Sequence, residues 1–327
     1  MTRKTACLVF NPVAGQSNPE QDLAQIRELL EPEFDLDIRM TSAEMDADEI
    51  ARQAIADGAK VIIASGGDGT LSAAADAVVG TDIPLGVISR GTANAFAAAL
   101  ELPDTIEAAC KTNLGGATRK VDAALCNDRP MVLLAGIGFE AETVEKADRQ
   151  AKKRFGMLAY VMAGLQQLRE LESFTAEIET EDKIINVTAA AITVANAAPP
   201  TSVLAQGPDG VVFDDGLLDV TVVSSTTRAG AIAASFHLLS TALNENAAER
   251  DDVGYLRAQR VKIRTDPPQK VVLDGEIIGE TPIDVKCIPD GLTIFVPKEA
   301  ALPSAAEKLE GLPDLIVENK VVVGFAD

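Results

Sequence analysis

Short apolar runs alternate with helical patterns along the first part of the chain. Four runs rich in aliphatic residues predict strands at Thr5–Phe10, Asp35–Met40, Lys60–Ala64 and Pro84–Ile88. Apolar residues at helical spacing predict helices at Glu20–Leu30, Glu44–Asp57, Thr70–Val79, Thr92–Leu100 and Thr105–Lys111. This alternation is typical of βαβ units around a parallel sheet, so residues 1–118 are expected to form an α/β domain.

The pattern changes after Asn113, where strands separated by tight turns take over. Residues 127–130 predict a hairpin turn between strands at Lys120–Cys126 and Met131–Ile137, and a long helical pattern then runs from about Glu140 to Leu171. Further strands are predicted at Phe174–Glu179, Ile184–Ala195, Leu217–Val223, Arg260–Ile263, Lys270–Leu273, Ile283–Cys287 and Leu292–Val296. Residues 119–299 are therefore expected to form a second, β-rich domain, and the tail 300–327 is a candidate to pack on the first.

Three turns with glycine and small polar residues follow strands of the first domain. They are Asn11-Pro12-Val13-Ala14-Gly15, Ser65-Gly66-Gly67-Asp68-Gly69-Thr70-Leu71, and Arg90-Gly91-Thr92-Ala93-Asn94. Each alone is also compatible with a plain helix cap. Ligands of open parallel sheets bind beyond the carboxyl ends of the strands, and glycine turns at helix N-termini favour phosphate. Together the turns predict a nucleotide crevice in which Asp68 is a candidate to orient Mg²⁺, or the water around it, against the phosphates.

Other nucleotide signatures are missing or misleading. The sequence has no Gly-Lys pair and therefore no Walker A motif. Residues 136–141 spell GxGxxA after a strand, but the segment that follows has a helical pattern where a dinucleotide fold needs a second parallel strand. We therefore reject NAD binding at this position.

Two turns of the second domain carry carboxylates. They are Asp214-Asp215-Gly216 and Asp274-Gly275-Glu276. An Asp-Gly pair is first of all a hairpin signal. Phosphoryl transfer also requires a carboxylate close to the acceptor hydroxyl, and a second domain that faces the nucleotide crevice is placed to provide it.

Composition and charge exclude several classes of protein. The hydrophobic fraction of 47% and the charged fraction of 24% are those of a globular protein, and the net charge of −21 argues against nucleic-acid binding. No apolar run reaches the roughly 18 residues that span a bilayer, and four scattered cysteines favour a reducing cytoplasm over disulfides or a zinc site. The single histidine, His237, excludes multi-histidine metal sites.

The ordered set of motifs resembles a known family. NPVAG, SGGDGTL, SRGTANAFA, GIGFEA, a Lys152-Lys153-x-x-Gly156 helix, DDGLLDV and DGE are together similar to the diacylglycerol kinase catalytic-domain family, in particular its soluble bacterial lipid kinases. The resemblance extends from about Ala6 to Val296. It implies a two-domain fold like that of lipid and NAD kinases, with a parallel-sheet α/β nucleotide domain, a sandwich-like β domain and the active site between them.

The resemblance also implies roles for individual residues. Glu276, supported by Asp274, would accept the proton of the lipid hydroxyl, and Asp68 would join a catalytic nucleotide–Mg²⁺ network. The second domain would hold another Mg²⁺ on Asp215, helped by backbone carbonyls near Val212 and Leu217. The ATP site would be lined by Asn11 to Gly15, Thr41, Ser65 to Leu71, Gly91, Thr92 and Asn94.

The implied activity is ATP- and Mg²⁺-dependent phosphorylation of a lipid hydroxyl, with diacylglycerol or a related lipid as substrate. Such an enzyme is expected in the cytoplasm, with transient contact to a membrane surface; the oligomeric state stays open. Relatives often have lysine at the position of Gln16 and aspartate at the position of Ala95, and Arg90 is a candidate to replace the missing cation. These departures keep open a catalytically weak or inactive binding protein, and GGDGT alone keeps open an NAD kinase.

Overall fold

The structure is a computed structural model. It describes residues 3–15, 17–91, 94–138, 173–199, 202, 205, 210–224 and 253–298. The predicted helix at about 140–171, His237, Gln16, Thr92 and the tail from residue 299 lie outside the described residues. Among the described residues, none of the helices has the length and apolarity that crossing a bilayer requires.

The first part of the chain forms the expected α/β arrangement. Its elements are β1 (Lys4–Phe10), α1 (Pro19–Leu30), β2 (Phe34–Met40), α2 (Ala47–Ala56), β3 (Val61–Gly66), α3 (Asp68–Asp76), β4 (Leu85–Ser89), α4 (Ala95–Ala99) and α5 (Ile106–Gly115). The strands are parallel in the order β2-β1-β3-β4 and lie within two residues of their predicted bounds. Helices α2 to α5 each differ from their predicted bounds by three or four residues at one end. The Asp46 side chain caps α2 by accepting from the Ala47 N–H, and α3 begins at Asp68, directly after β3.

The second part is built from antiparallel strands. They are β5 (Thr118–Cys126), β6 (Arg129–Met131), β7 (Leu134–Gly138), β8 (Phe174–Glu179), β9 (Ile184–Ala189), β10 (Ala191–Ala195), β11 (Leu218–Val223), β12 (Val253–Ala258), β13 (Arg260–Asp266), β14 (Lys270–Leu273), β15 (Glu276–Glu280) and β16 (Ile283–Phe295). One sheet of six strands has the order β12-β11-β10-β7-β14-β15. The remaining strands extend the parallel sheet through β16, which pairs with β4 and β5, to give a sheet of ten strands.

The two sheets pack face to face in the second part. Buried side chains from the six-stranded sheet, such as Ile137, Ile192 and Val220, share one core with Val261 and Val285 of the ten-stranded sheet. This confirms the predicted α/β domain with a sandwich-like β domain.

Two predicted strands are wrong as single elements, because the chain changes sheets within each of them. The run Met131–Ile137 contains the end of β6, which pairs with β5, and most of β7, which pairs with β10 and β14. The run Ile184–Ala195 divides in the same way into β9 and β10 around Ala190, whose N–H donates to the Val223 carbonyl. In both runs the residues at the crossing are buried and apolar or small, so no polar residue marks the break.

Candidate active site

The three glycine-bearing turns meet at the carboxyl edge of the parallel sheet. The Asn11 N–H donates to the Ser65 carbonyl at 2.9 Å, and the Arg90 N–H donates to the Gly66 carbonyl at 2.7 Å. A Cβ at Gly91 would lie 3.0 Å from the Gly67 Cα, so a side chain there would push the second and third turns apart. The expected convergence of the three turns is present.

The first turn is held by the side chain of Asn11. Its amide donates to the Thr70 hydroxyl at 2.8 Å, and its carbonyl oxygen accepts from the Val13 N–H at 3.0 Å. Beside it, the Thr41 N–H donates to the Phe10 carbonyl at 2.9 Å, which places Thr41 on the same edge. Val13 lies at the tip of the turn and is 87% exposed. The turn is therefore a braced loop with an apolar tip turned to solvent.

Arg90 does not take the part of a phosphate-facing cation. Its guanidinium is 2% exposed, pairs with Asp22 of α1 at 2.8 Å and donates to the Asn11 carbonyl at 2.9 Å. It also stacks over the Phe10 ring at 4.3 Å. These contacts clamp the first turn, α1 and β4 together beneath the crevice, so the expectation that Arg90 replaces the missing lysine is wrong.

Asp68 stands at the start of α3, where the helix leaves its first N–H groups without intrahelical partners. Its Oδ1 accepts from the Phe96 N–H at 3.0 Å. Burial raises the pKa of Asp68, and hydrogen bonds from backbone N–H groups of Phe96 and Ala95 oppose that rise. The carboxylate thus ties α3 to α4 at the floor of the crevice.

The donor set around Asp68 fits a nucleotide-bound Mg²⁺. The Asn94 side-chain oxygen is buried without a hydrogen-bond partner among the described residues. It lies against Gly91, on the side where Gly91 approaches the backbone of Asp68. Mg²⁺ in kinase sites is held by one or two protein oxygens together with substrate phosphates and water. Asp68 and Asn94 are the residues that would hold it.

The same face of α3 carries a second carboxylate, which was missed in the sequence. Ser72 and Asp76 follow Asp68 at spacings of four, so the three side chains lie along one side of the helix. The Ser72 hydroxyl and the Asp76 Oδ1 are buried without a partner among the described residues. The i, i+4, i+8 spacing of polar residues in an otherwise alanine-rich helix was the signal that could have found Asp76.

The Asp274-Gly275-Glu276 turn joins β14 to β15. Asp274 and Gly275 have φ values of 46° and 92°, as the predicted two-residue hairpin turn requires. The Asp274 carboxylate accepts from three backbone N–H groups, those of Val132 at 2.8 Å, Leu133 at 2.9 Å and Leu134 at 2.8 Å. It therefore anchors the crossing from β6 to β7, where the chain leaves one sheet for the other.

Glu276, one residue beyond the turn, has no comparable partners. Its side chain is exposed and makes no hydrogen bond or ion pair with any described residue. Asp274, in contrast, is committed to three N–H groups, and burial raises its pKa to about 6, with the nearby charge of Glu276 acting in the same direction. The expected sharing of a proton between the two stays a prediction, but Asp274 is first of all a structural anchor.

The end of α3 lies close to this turn. Burial raises the pKa of Asp76 to about 7, and the negative charges of Asp274 and Glu276 add to the rise. Asp48 of α2 raises the pKa further, whereas Arg52 lowers it. The helix that begins with Asp68 in the nucleotide crevice thus ends near enough to this turn for the charges of Asp274 and Glu276 to act on Asp76.

The predicted metal position of the second domain has an arginine, Arg257, beside the expected carboxylate ligand Asp215. Asp215 Oδ1 accepts from the Leu217 N–H at 3.0 Å, and its Oδ2 lies 3.6 Å from Nη1 of Arg257. No group of three or more His, Cys, Asp or Glu side chains in the described part of the chain is arranged to hold a metal ion. With a guanidinium beside the carboxylate, the donors near Val212, Asp215 and Leu217 do not fit a bound Mg²⁺.

Comparison with known proteins agrees with this architecture. Residues 5–126 match the diacylglycerol kinase catalytic domain model, and residues 134–296 match the YegS C-terminal NAD kinase beta sandwich-like domain model. A diacylglycerol kinase of Bacillus subtilis is 28% identical over 91% of this chain and 98% of its own length. A probable lipid kinase YegS-like of Xanthomonas oryzae is 30% identical over 88% and 96%.

A solved diacylglycerol kinase from Bacillus anthracis has the same fold, with a TM-score of 0.71 over 92% of this chain and 99% of its own at 23% identity. An uncharacterized Synechocystis protein is 51% identical over 90% of this chain and 71% of its own length. The two family models match adjacent stretches of the chain, one on the α/β part and one on the β-rich part, and together they assign the chain to one family. The chain belongs to the family of diacylglycerol kinases and YegS-like bacterial lipid kinases.

Proposed function

We propose that this kinase transfers the γ-phosphoryl group of ATP to a hydroxyl of diacylglycerol or a related lipid. The observation that carries the proposal is Glu276, an exposed carboxylate without a partner among the described residues, next to a turn that Asp274 anchors. A proton acceptor has to be accessible and in a fixed place. Glu276 meets both conditions and lies close enough to Asp76 for its charge to act at the end of α3.

The nucleotide is assigned to the crevice of the three turns. The first N–H groups of α3 and the closely approaching backbone at Gly67 and Gly91 offer donors to the phosphates. Asn11 keeps the first turn in place through Thr70, and Arg90 keeps it in place by donating to the Asn11 backbone carbonyl. Asp68 and Asn94 would hold a Mg²⁺ together with the phosphates, and the ion would neutralise charge on the transferred group.

Glu276 then acts on the acceptor. Its carboxylate takes the proton of the lipid hydroxyl while the hydroxyl oxygen forms the new bond to the γ-phosphorus and the bond to the β-phosphate oxygen breaks. ADP leaves, and the proton passes from Glu276 to water. Because the lipid has to reach the cleft from a bilayer, we expect transient contact of a cytoplasmic enzyme with the membrane surface.

The experiment is phosphoryl transfer from labelled ATP in MgCl₂ to a panel of mono- and diacylglycerols, phosphatidylglycerol and sphingoid bases in mixed micelles. We expect one lipid class to be labelled and Asp68→Ala to abolish the labelling, because the carboxylate belongs to the nucleotide–Mg²⁺ network. Transfer to none of these lipids, with ATP binding intact by calorimetry, would instead support the catalytically inactive binding protein.

A second candidate, an NAD kinase, is favoured by the description of the matched C-terminal family model and by GGDGT. The same assay with NAD as the acceptor tests it. Formation of NADP would replace the lipid proposal, and its absence together with lipid labelling would exclude this candidate.

A further inference from the structure

The turn that precedes β11 gathers an unusual number of acidic groups. Asp214, Asp215 and Asp219 lie within six positions, and Asp122 of β5 packs against them. The Asp122 carboxylate is 3% exposed and accepts from the Gly216 N–H at 2.6 Å and the Asp290 N–H at 3.0 Å, which holds the turn in place. Four carboxylates this close require compensating positive charge.

Two arginines deliver that charge from neighbouring strands. Arg119 of β5 pairs with Asp214, both side chains being about nine-tenths buried, and its guanidinium lies 4.8 Å above the Phe213 ring. Arg257 of β12 stands directly opposite Asp219 in the register of β11 and β12. Strand pairing therefore fixes the place of the second arginine.

The contacts of Arg257 are those of a bound cation. Its Nε donates to Asp219 Oδ1 at 2.7 Å, its Nη1 lies 3.6 Å from Asp215 Oδ2, and its Nη2 donates to the Gly210 carbonyl at 3.3 Å. Two carboxylates and a backbone carbonyl are the donor types that a hard divalent cation takes. The guanidinium of Arg257 reaches Asp219 and the Gly210 carbonyl at hydrogen-bond distances and forms a longer ion pair with Asp215, whereas Mg²⁺ requires oxygens at about 2.0–2.1 Å.

We infer that Arg257 is the built-in cation of the second domain, standing where related kinases are expected to bind a structural Mg²⁺. A divalent ion at Asp215 would lie beside the guanidinium and be repelled by it. An arginine also cannot dissociate and is charged at every accessible pH. The second domain should therefore keep its stability when Mg²⁺ is removed.

The test measures the melting temperature of the full chain without nucleotide, in EDTA and in millimolar MgCl₂. We expect the wild-type value to change by less than about 1 °C between the two conditions. Arg257→Met should melt about 5 °C lower in EDTA and recover part of this loss in MgCl₂, because the uncovered carboxylates then bind the ion. Arg257→Lys, which keeps the charge and loses the fork, should fall between the two.

Arg264→Met is the matched control, because Arg264 is paired with Glu177 on a neighbouring strand but is 65% exposed. It should leave the melting temperature and its response to MgCl₂ unchanged. A wild-type melting temperature that rises by several degrees in MgCl₂, with the rise lost in Asp215→Asn, would overturn the inference. If Arg257→Met does not fold, the wild-type and Asp215→Asn measurements decide alone. A folded Arg257→Met that gains nothing from MgCl₂ would also contradict it.

Discussion

The two carboxylate-bearing turns of the β domain look alike in sequence and differ in what surrounds them. At residues 274–276, the aspartate is satisfied by three backbone N–H groups and the glutamate has no partner among the described residues. At residues 214–219, Asp214 faces Arg119, while Asp215 and Asp219 face Arg257. In the first turn, backbone N–H groups stabilise the aspartate and no described arginine or lysine pairs with it. In the second turn, two arginines neutralise the charge of the aspartates.

This difference separates an available carboxylate from committed ones. A general base has to be accessible and must not be held in an ion pair that lowers its basicity. Glu276 meets this condition, and the acids of the second turn do not. The backbones of the two Asp-Gly pairs differ, since φ is positive at both Asp274 and Gly275 but only at Gly216 in the second turn. The residues across the sheet decide whether each turn supports chemistry or structure.

The largest effect is expected for Glu276→Gln. Glutamine keeps the size of the side chain but cannot accept the proton, so kcat should fall about 10²- to 10⁴-fold while ATP binding survives. Steady-state kinetics and calorimetry measure the two properties. Glu280→Gln, at the other end of the same exposed strand, is the control and should be silent. If Glu276→Gln had a kcat near that of the wild type, Glu276 would not be the base and the turn would have only a structural role.

A large loss of stability is expected for Asp274→Asn. The amide group cannot accept all three N–H donors and points one of its own N–H bonds at them, so buried donors lose their partner. We expect the free energy of unfolding to fall by about 3–4 kcal/mol, as measured by urea denaturation. Asp128→Asn, at an exposed hairpin turn of similar backbone shape, should change little. If the two variants lost the same free energy of unfolding, the hydrogen bonds of Asp274 would not contribute more to stability than an exposed turn residue does.

A smaller loss is expected for Asp214→Asn, because the amide still accepts a hydrogen bond from Arg119 but leaves that buried cation uncompensated. The free energy of unfolding should fall by about 2–3 kcal/mol with kcat within about twofold of the wild type. Glu177→Gln, which loses an exposed ion pair, provides the baseline for both measurements. A large fall in kcat with unchanged stability would place the second turn in the catalytic machinery.

The smallest effect concerns Asp76 and depends on pH. Its pKa rises from 3.8 to about 7 on folding, so the folded protein binds its proton more tightly than the unfolded chain. Stability should therefore decrease as pH rises from about 4 to about 7, and Asp76→Asn should remove this decrease. We expect the variant to be more stable than the wild type above pH 7. Asp104→Asn is the control, because Asp104 is exposed and does not act on Asp76. Parallel pH curves for Asp76→Asn and wild type would contradict the prediction.

The parallel half of the fold was predictable because three of its four strands, β1, β3 and β4, are buried along most or all of their length. Runs such as Val61–Gly66 are continuously apolar and end at glycine, so both position and direction follow from the sequence. β15 was not predicted, since Glu276–Glu280 is a mostly exposed edge strand without an apolar alternation. Long-range pairing accounts for the missed crossings, which depend on contacts such as Asp274 with Leu133.

The candidate site also contains features that the sequence predicts and features that it does not. The three turns and the Asp-Gly pairs are local signals, and the sequence alone places them. The burial of Arg90 against Asp22, 68 residues away, and the pairing of Arg257 with Asp219 depend on tertiary contacts that no local pattern encodes. Side chains whose role is set by a distant partner were the ones misassigned or missed.

The route of β16 has a consequence for how the protein is made. Ile294 of β16 lies beside Leu85 of β4, so the parallel sheet stays open at β4 until a strand synthesised roughly 200 residues later arrives. On the ribosome, the nucleotide-binding half thus waits with an unpaired apolar edge, which is a site for aggregation or chaperone binding. The first 118 residues produced alone should be poorly soluble, and supplying the β16 segment in trans should improve their recovery.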